Sequence, residues 1–219
     1  GGLGIASGVL LGFAVLVAAW QITFAVALVW MVSAWDDWSD ASPTARLAVQ
    51  AVAAALVAFT WGGQEVSLTY GILLTIAVIW SVNLFNFIDG VDGVAASAAI
   101  VGGIALAMTA VFLPGTESAR AVSMATVGPA VIVAVSALGF LPLNLPPAKL
   151  FMGDGGSTVL GLALAAVSLK GIADDVWQAA VPLAIFMPLW SDTTYTLLRR
   201  MLRGHSPLRP HREHLYQRL

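Results

Sequence analysis

Apolar runs long enough to cross a bilayer recur along almost the whole of this chain, and that constrains its fold more than any other feature. A helix needs about 20 apolar residues to span the hydrocarbon core. Runs of suitable length fall near 3–19, 21–35, 45–61, 68–87, 94–113, 121–141, 157–172 and 177–198. Trp20-Gln21 makes only a feeble turn, yet residues 1–35 as one helix would extend about 52 Å, too long for a single crossing. Two short antiparallel helices are therefore expected there. Pro43, Pro114, Pro142 and the pair Pro146-Pro147 are read as breaks between spans. The fold expected is all-α: a polytopic transmembrane helix bundle of about eight spans, forming one membrane-embedded domain over 1–219.

Composition agrees. Only 10% of residues are charged, against about 25% in a soluble domain. There is no cysteine, so disulfides, thiolate metal sites and cysteine nucleophiles are excluded. The opening residues "GGLGIASG" carry neither Met nor a basic signal region, and the chain reads as a fragment trimmed at both ends.

Eight spans place "WDDWSDASPTAR", "FIDGVDG", "LNLPPAKLFMGDGGS" and the basic segment 199–219 on one face. That face holds Arg46, Lys149, Arg199, Arg200, Arg203, Arg209, Arg212 and Arg218, whereas the other holds Arg120 and Lys170. An excess of Lys and Arg marks the cytoplasmic side, so 199–219 is expected to be a cytoplasmic loop and the active site to lie at the cytoplasmic face.

The polar clusters on that face narrow the chemistry. In "WDDWSD", Asp36 and Asp40 stand four apart and share a helix face, where like charges repel unless a cation or proton intervenes. A hydrated loop at a helix end is the plain alternative. In "NLFNFIDGVDG", Asn83, Asn86, Asp89 and Asp92 recur every three positions and form a polar stripe that faces a cleft rather than lipid. Asp-Gly steps alone would explain two turns, but not the intramembrane Asn83 and Asn86. In "KLFMGDGGST", Asp154 lies between glycines just before a helix expected to begin near Ser157. Such a turn suits a phosphate, although a simple capped helix start fits nearly as well. The stretch "RRMLRGHSPLRPHREHLYQRL" concentrates six arginines and three histidines. It reads either as a basic membrane flank or as a flap over phosphate, and His211 and His214 suit phosphate better than zinc. Carboxylates for a hard cation, a glycine turn and a basic flap together suggest phosphoryl-group chemistry at a lipid surface.

Taken together, "DDWSD", "NLFNFIDGVDGV", "LNLPPAKLFMGDGGSTVLG" and the basic ending resemble the polyprenyl-phosphate N-acetylhexosamine-1-phosphate transferases, the superfamily of phospho-N-acetylmuramoyl-pentapeptide transferase. The motifs stand in the family's order across nearly the whole chain, and "PHREHLYQ" most resembles the branch that starts O-antigen and similar surface glycans. The resemblance implies a multi-pass enzyme of the bacterial inner membrane. It would transfer an amino-sugar-1-phosphate from a UDP-sugar to undecaprenyl phosphate, release UMP, and require Mg²⁺ or, in its place, Mn²⁺. By motif position Asp154 would bind the metal and Phe151 would stack on uracil, while Asn83, Asn86, Asp89, Asp92 and Asn144 would line the nucleotide and metal cleft. Asp36 and Asp37 would lie nearest the lipid phosphate, one of them a candidate base, with Asp89 counted alongside them as catalytic. His211, Arg212 and His214 would contact diphosphate or sugar. Partners implied are the two substrates and membrane lipid, with no nucleic acid and with a homodimer left open. The family typically shows further spans and a "PRGGG"-like motif where this chain has "GGLGI", a final span after the histidine loop, and a lysine soon after the Asp pair; here the nearest cation is Arg46.

Three rival readings stand beside this one. CDP-alcohol phosphotransferases need Ala-Arg shortly after the first Asp-Gly, and "DGVDGVAASAAIVGG" has no arginine. A transporter with a carboxylate-lined cleft predicts acidic residues within spans, where only Asp192 qualifies, itself able to pair with Arg199 or Arg200. The third is an inactive structural fragment.

Overall fold

The computed structural model describes residues 1–17, 19–39, 42–62, 66–112 and 117–203. Among these it is all-α, with eight helices: α1 (Gly2–Leu16), α2 (Trp20–Ser39), α3 (Pro43–Trp61), α4 (Leu68–Ile88), α5 (Val94–Phe112), α6 (Glu117–Asn144), α7 (Asp154–Ala173) and α8 (Ala180–Leu202). Five of them, α3, α4, α5, α7 and the 125–144 stretch of α6, are long and apolar enough to cross a membrane. The apolar α1 is shorter, at 15 residues. The chain is thus a polytopic helical membrane bundle in which α1, α2 and α8 are less complete spans than the eight apolar runs imply. Length limits α1, while α2 ends in Asp36 and Asp37 and α8 carries Asp192, Arg199 and Arg200.

Local chemistry sets several boundaries. Ser42 caps α3, its hydroxyl accepting from the Ala45 N–H at 3.3 Å, and Pro43 occupies the first helical position, where its missing N–H costs nothing. Ser67 caps α4 in the same way through Tyr70, again at 3.3 Å. Two expectations need correction. α7 begins at Asp154, one turn before Ser157, because Gly153 takes a backbone φ of +67° that ends the preceding loop and lets the "DGGS" stretch wind directly into helix. Pro142 does not end α6, which continues to Asn144. Proline near a helix end forfeits one bond only, and the last turn is secured by the following loop, whose Lys149 and Leu150 N–H groups both reach the Leu143 carbonyl (2.9 and 3.0 Å).

α7 is the axis of the bundle. Of its apolar window 83% is buried, against 28–44% in the other four long apolar spans, and it packs against α1 through α6. Close approach there is possible because the facing residues are small. A Cβ added at Gly161 would lie 2.8 Å from the Ser81 carbonyl oxygen and 2.9 Å from the Val82 Cα on α4. α5 and α6 meet in the same manner, Gly103 leaving room for the Ala130 carbonyl, where an added Cβ would come within 2.8 Å. Alternating direction brings the N-termini of α1, α3, α5 and α7 and the C-termini of α2, α4 and α6 to one end. At the other end Lys170 pairs with Asp174 and lies 5.7 Å from the Trp61 ring.

The α4–α7 crossing gives a direct test. Gly161→Ala should destabilise the protein by about 1–3 kcal/mol, since its methyl group meets the α4 backbone at Ser81 and Val82. Gly139→Ala, on an exposed face of α6 with nothing within 4 Å, should be neutral or stabilising by up to about 1 kcal/mol. Equal thermal midpoints for the two variants in detergent would contradict the crossing.

Candidate active site

The end of the bundle where α2, α3, α4 and α7 converge gathers most of the polar residues that the sequence singles out. Asp154 is the first residue of α7, where the helix dipole favours a carboxylate. Asp36 lies in the last turn of α2, and Arg46 in the first turn of α3. One guanidinium nitrogen, Arg46 Nη1, pairs with Asp36 Oδ2 and also with Asp154 Oδ2. The side chains remain 32% (Arg46), 13% (Asp36) and 26% (Asp154) exposed, so the cluster sits at a rim that ligands can reach. Two like charges about 4 Å apart repel by about 4 kcal/mol at an effective dielectric of about 20. The Arg46 cation between these carboxylates offsets that repulsion.

α4 supplies the next layer. Asn86 extends its Nδ2 toward Asp154 Oδ2 at 3.5 Å and accepts from the Ser157 hydroxyl at 3.1 Å. One turn earlier, Asn83 donates to Gln50 Oε1 at 2.9 Å and to the Ile79 carbonyl at 2.9 Å. Gln50 stands four residues after Arg46, so a single face of α3 meets both the carboxylates and the asparagine stripe. Beneath them Ser33 and Thr158 share a buried hydrogen bond of 3.0 Å that ties α2 to α7. Asp89 is the C-cap residue of α4, three positions beyond Asn86, with its N–H bonded to the Phe85 carbonyl at 3.2 Å.

Asp92 and Asn144 hold the two neighbouring loops together. Asp92 Oδ2 accepts from the Ala148 N–H at 3.0 Å. The buried Asn144 accepts from the Gly93 N–H at 3.0 Å and donates to the Leu150 carbonyl at 3.1 Å. Gly93, at φ +77°, turns the chain into α5. This seam fixes the loop that carries Phe151, Met152 and Gly153 into α7. Phe151 is 70% exposed, while Met152 beside it is buried. Phe151 lines an open cleft of about 660 Å³ together with Trp30, Met31, Trp35, Gly153 and Gly155. A second, apolar cavity of about 300 Å³ lies between α4, α7 and α8 and runs along α4 from Phe85 to Tyr70, with Val78, Leu164, Phe186 and Trp190 on its walls.

The structure therefore brings Asp36, Asp154, Asn86 and Asn83 into one network, with Asp89 at the end of the same α4 stripe. Asp92, Asn144 and Phe151 belong to the adjoining loops. Asp37 is the next residue of α2, but its side chain lies outside the described residues, as do Asp40, His211, Arg212 and His214. Arg46 and Gln50 were not singled out as site residues. The signal for Gln50 was present in the sequence as a lone amide within the apolar run 45–61, and for Arg46 as a cation one helix start beyond the aspartate pair.

No cluster of three acidic or histidine side chains that could cage a metal occurs among the described residues. Asp154 and Asp36, both reaching one positive centre, are the described carboxylates placed to hold a divalent cation together.

Comparison with known proteins agrees with this architecture. The family described as glycosyl transferase family 4 matches residues 19–172, which include every site residue described above. The decaprenyl-phosphate N-acetylglucosaminephosphotransferase of Mycolicibacterium smegmatis is 35% identical over 162 residues, 68% of this chain and 40% of that protein. A probable undecaprenyl-phosphate N-acetylglucosaminyl 1-phosphate transferase of Bacillus subtilis is 35% identical over 150 residues, 66% of this chain and 39% of that protein. A phospho-N-acetylmuramoyl-pentapeptide-transferase of Synechococcus is 33% identical over 176 residues, covering 69% and 46%. The chain thus spans less than half the length of these relatives. With the family match running from the start of α2 to the end of α7, this chain belongs to glycosyl transferase family 4.

Proposed function

We propose that the protein transfers an N-acetylhexosamine-1-phosphate from a UDP-sugar to a polyprenyl phosphate, undecaprenyl phosphate in the first instance, at the cytoplasmic face of the bacterial inner membrane. The observation that carries the reading is the convergence of Asp36 and Asp154 on one positive centre at one end of a membrane bundle. In the reaction, an oxygen of the prenyl phosphate attacks the sugar-bearing phosphorus of the UDP-sugar. A new P–O–P linkage forms, the old one breaks, and UMP leaves with the bridging oxygen. Mg²⁺, held by Asp154 with Asp36, would supply charge neutralisation for the diphosphate.

The chain's own residues do the rest. Asn86 and Ser157 orient the Asp154 carboxylate, and Gln50 with Asn83 holds α3 against α4. The Asp92–Asn144 seam presents Phe151, whose exposed ring suits stacking on uracil. Asp37 and Asp89 remain the candidates for handling the acceptor phosphate and its protons, and His211, Arg212 and His214 for contacts to diphosphate or sugar. The apolar cavity between α4, α7 and α8 suits the isoprenoid tail of the acceptor. The names of the relatives support N-acetylglucosamine as the first sugar to test. The role in O-antigen or a similar surface glycan rests on the resemblance of the tail, and a homodimer belongs to the same proposal. A transporter reading finds less support, since the described aspartates, apart from Asp192, stand at helix ends.

UMP release from a panel of UDP-sugars, with prenyl phosphate and graded Mg²⁺, tests the proposal. Asp154→Asn should fold and insert normally yet lose turnover by orders of magnitude; Asn caps a helix about as well as Asp, so a capping role alone would leave activity intact. Asp174→Asn, at the opposite end, should keep its turnover. Full activity in Asp154→Asn would overturn the assignment.

Phe151→Ala should weaken UDP-sugar binding by about 1–3 kcal/mol, the scale of base–aromatic stacking, with little change in prenyl phosphate affinity. Equal losses for both substrates would make Phe151 a packing residue.

A further inference from the structure

We propose that Arg46 is a built-in competitor for the cation site: its guanidinium and a divalent cation contend for the same two carboxylates, so the cation reaches Asp154 only by displacing Arg46. The inference rests on reading Asp154 as a cation-binding carboxylate, and adds a rival that the chain itself supplies.

Three observations carry it. Both pairs use one nitrogen, Nη1, so Asp36 and Asp154 converge on a single corner of the guanidinium instead of gripping two sides of it. Asn86 extends toward the same Asp154 oxygen that Arg46 contacts, so the competition falls on the oxygen best placed within the network. Finally, the Arg46 side chain is long, 32% exposed, and mounted on a well-anchored helix start. Its N–H bonds to the Ser42 carbonyl at 3.2 Å, and Gln50 one turn on is tied to Asn83. The side chain can therefore swing toward solvent while α3 stays in place.

Two consequences follow from the charges. Two positive centres cannot share these carboxylates without strong repulsion, so cation binding and the Arg46 pairs exclude one another. A released guanidinium then faces the rim where a diphosphate would lie, and a guanidinium matches phosphate oxygens bidentately. Arg46 would thus restrain the metal site until an anionic ligand draws it away. This is a positioning role, exerted through Asp36 and Asp154.

Mn²⁺ alone, titrated by electron paramagnetic resonance against the detergent-solubilised protein with no nucleotide present, reads the competition directly. Arg46→Met, similar in reach but without charge, should bind Mn²⁺ about tenfold more tightly than the wild type, within the range of ordinary coupling between competing ligands. Arg46→Gln carries the same expectation should Arg46→Met fail to fold, and Arg46→Lys, which keeps the charge, should stay close to wild type. Mn²⁺ should also raise the thermal midpoint of Arg46→Met more than that of the wild type. If Arg46→Met and Arg46→Gln bind Mn²⁺ no more tightly than the wild type, while Asp154→Asn abolishes binding, the competitor role is wrong and the cation site stands. If Asp154→Asn binds Mn²⁺ as well as the wild type does, or no form binds it, the cation reading fails and this inference falls with it.

Discussion

A helix enclosed by other helices can carry charge only at its ends, and α7 is such a helix. Its length is packed by α1 through α6, and its buried residues are glycine, alanine, serine, threonine, valine and leucine. Asp154 stands part-exposed at the start of the helix, where the backbone dipole favours an anion. Everything else at that end is arranged around this carboxylate: Arg46 and Asp36 from the α2–α3 side, Asn86 and Ser157 from the α4–α7 crossing. The close crossing permitted by Gly161 is what brings Asn86 within reach, so packing in the apolar interior determines the geometry of the polar rim.

The rim is layered according to the task of each side chain. The charged groups contact one another, the amides orient them, and a further pair, Asp92 and Asn144, holds loop backbone in place. Asn144 is buried and has a backbone partner at each end of its amide, which leaves the Phe151 loop little freedom relative to α5. An exposed aromatic on a tethered loop loses less entropy on stacking than one on a free loop. Gly153 serves the same end, since its φ of +67° permits the backbone turn that leads into α7.

Much of this was legible in the sequence because intramembrane polarity is costly and therefore informative. Asn83, Asn86 and Asp154 stand out against apolar runs, and the eight helices lie close to the eight runs read from hydropathy. Two boundaries were not legible. Glycines around Asp154 read locally as loop, whereas burial of α7 against six neighbours outweighs their poor helix propensity. Pro142 reads as a break, but α6 runs two residues past it, the last turn being held by the loop N–H groups of Lys149 and Leu150 on the Leu143 carbonyl. The Arg46 pairs were invisible for a different reason: their partners lie 10 and 108 residues away, and no local pattern encodes a contact made only when α2, α3 and α7 come together. Gln50 is similar, a polar residue in an apolar run whose purpose appears only opposite Asn83.

The ends of α2, α4 and α6 meet the start of α7 on one side of the bundle, and the proposed function puts that side in the cytoplasm. The chain has no cysteine of its own, so single cysteines report position without background. Cysteines placed at Ser39, Val91 and Lys149 should all react with an impermeant maleimide from the cytoplasmic side in inverted vesicles, and not from the outside of intact cells. Cysteines at Gly62 and Asp175 should show the reverse. Opposite sidedness for any two of the first three positions would contradict the shared site, because those three segments would then lie on different sides of the bilayer.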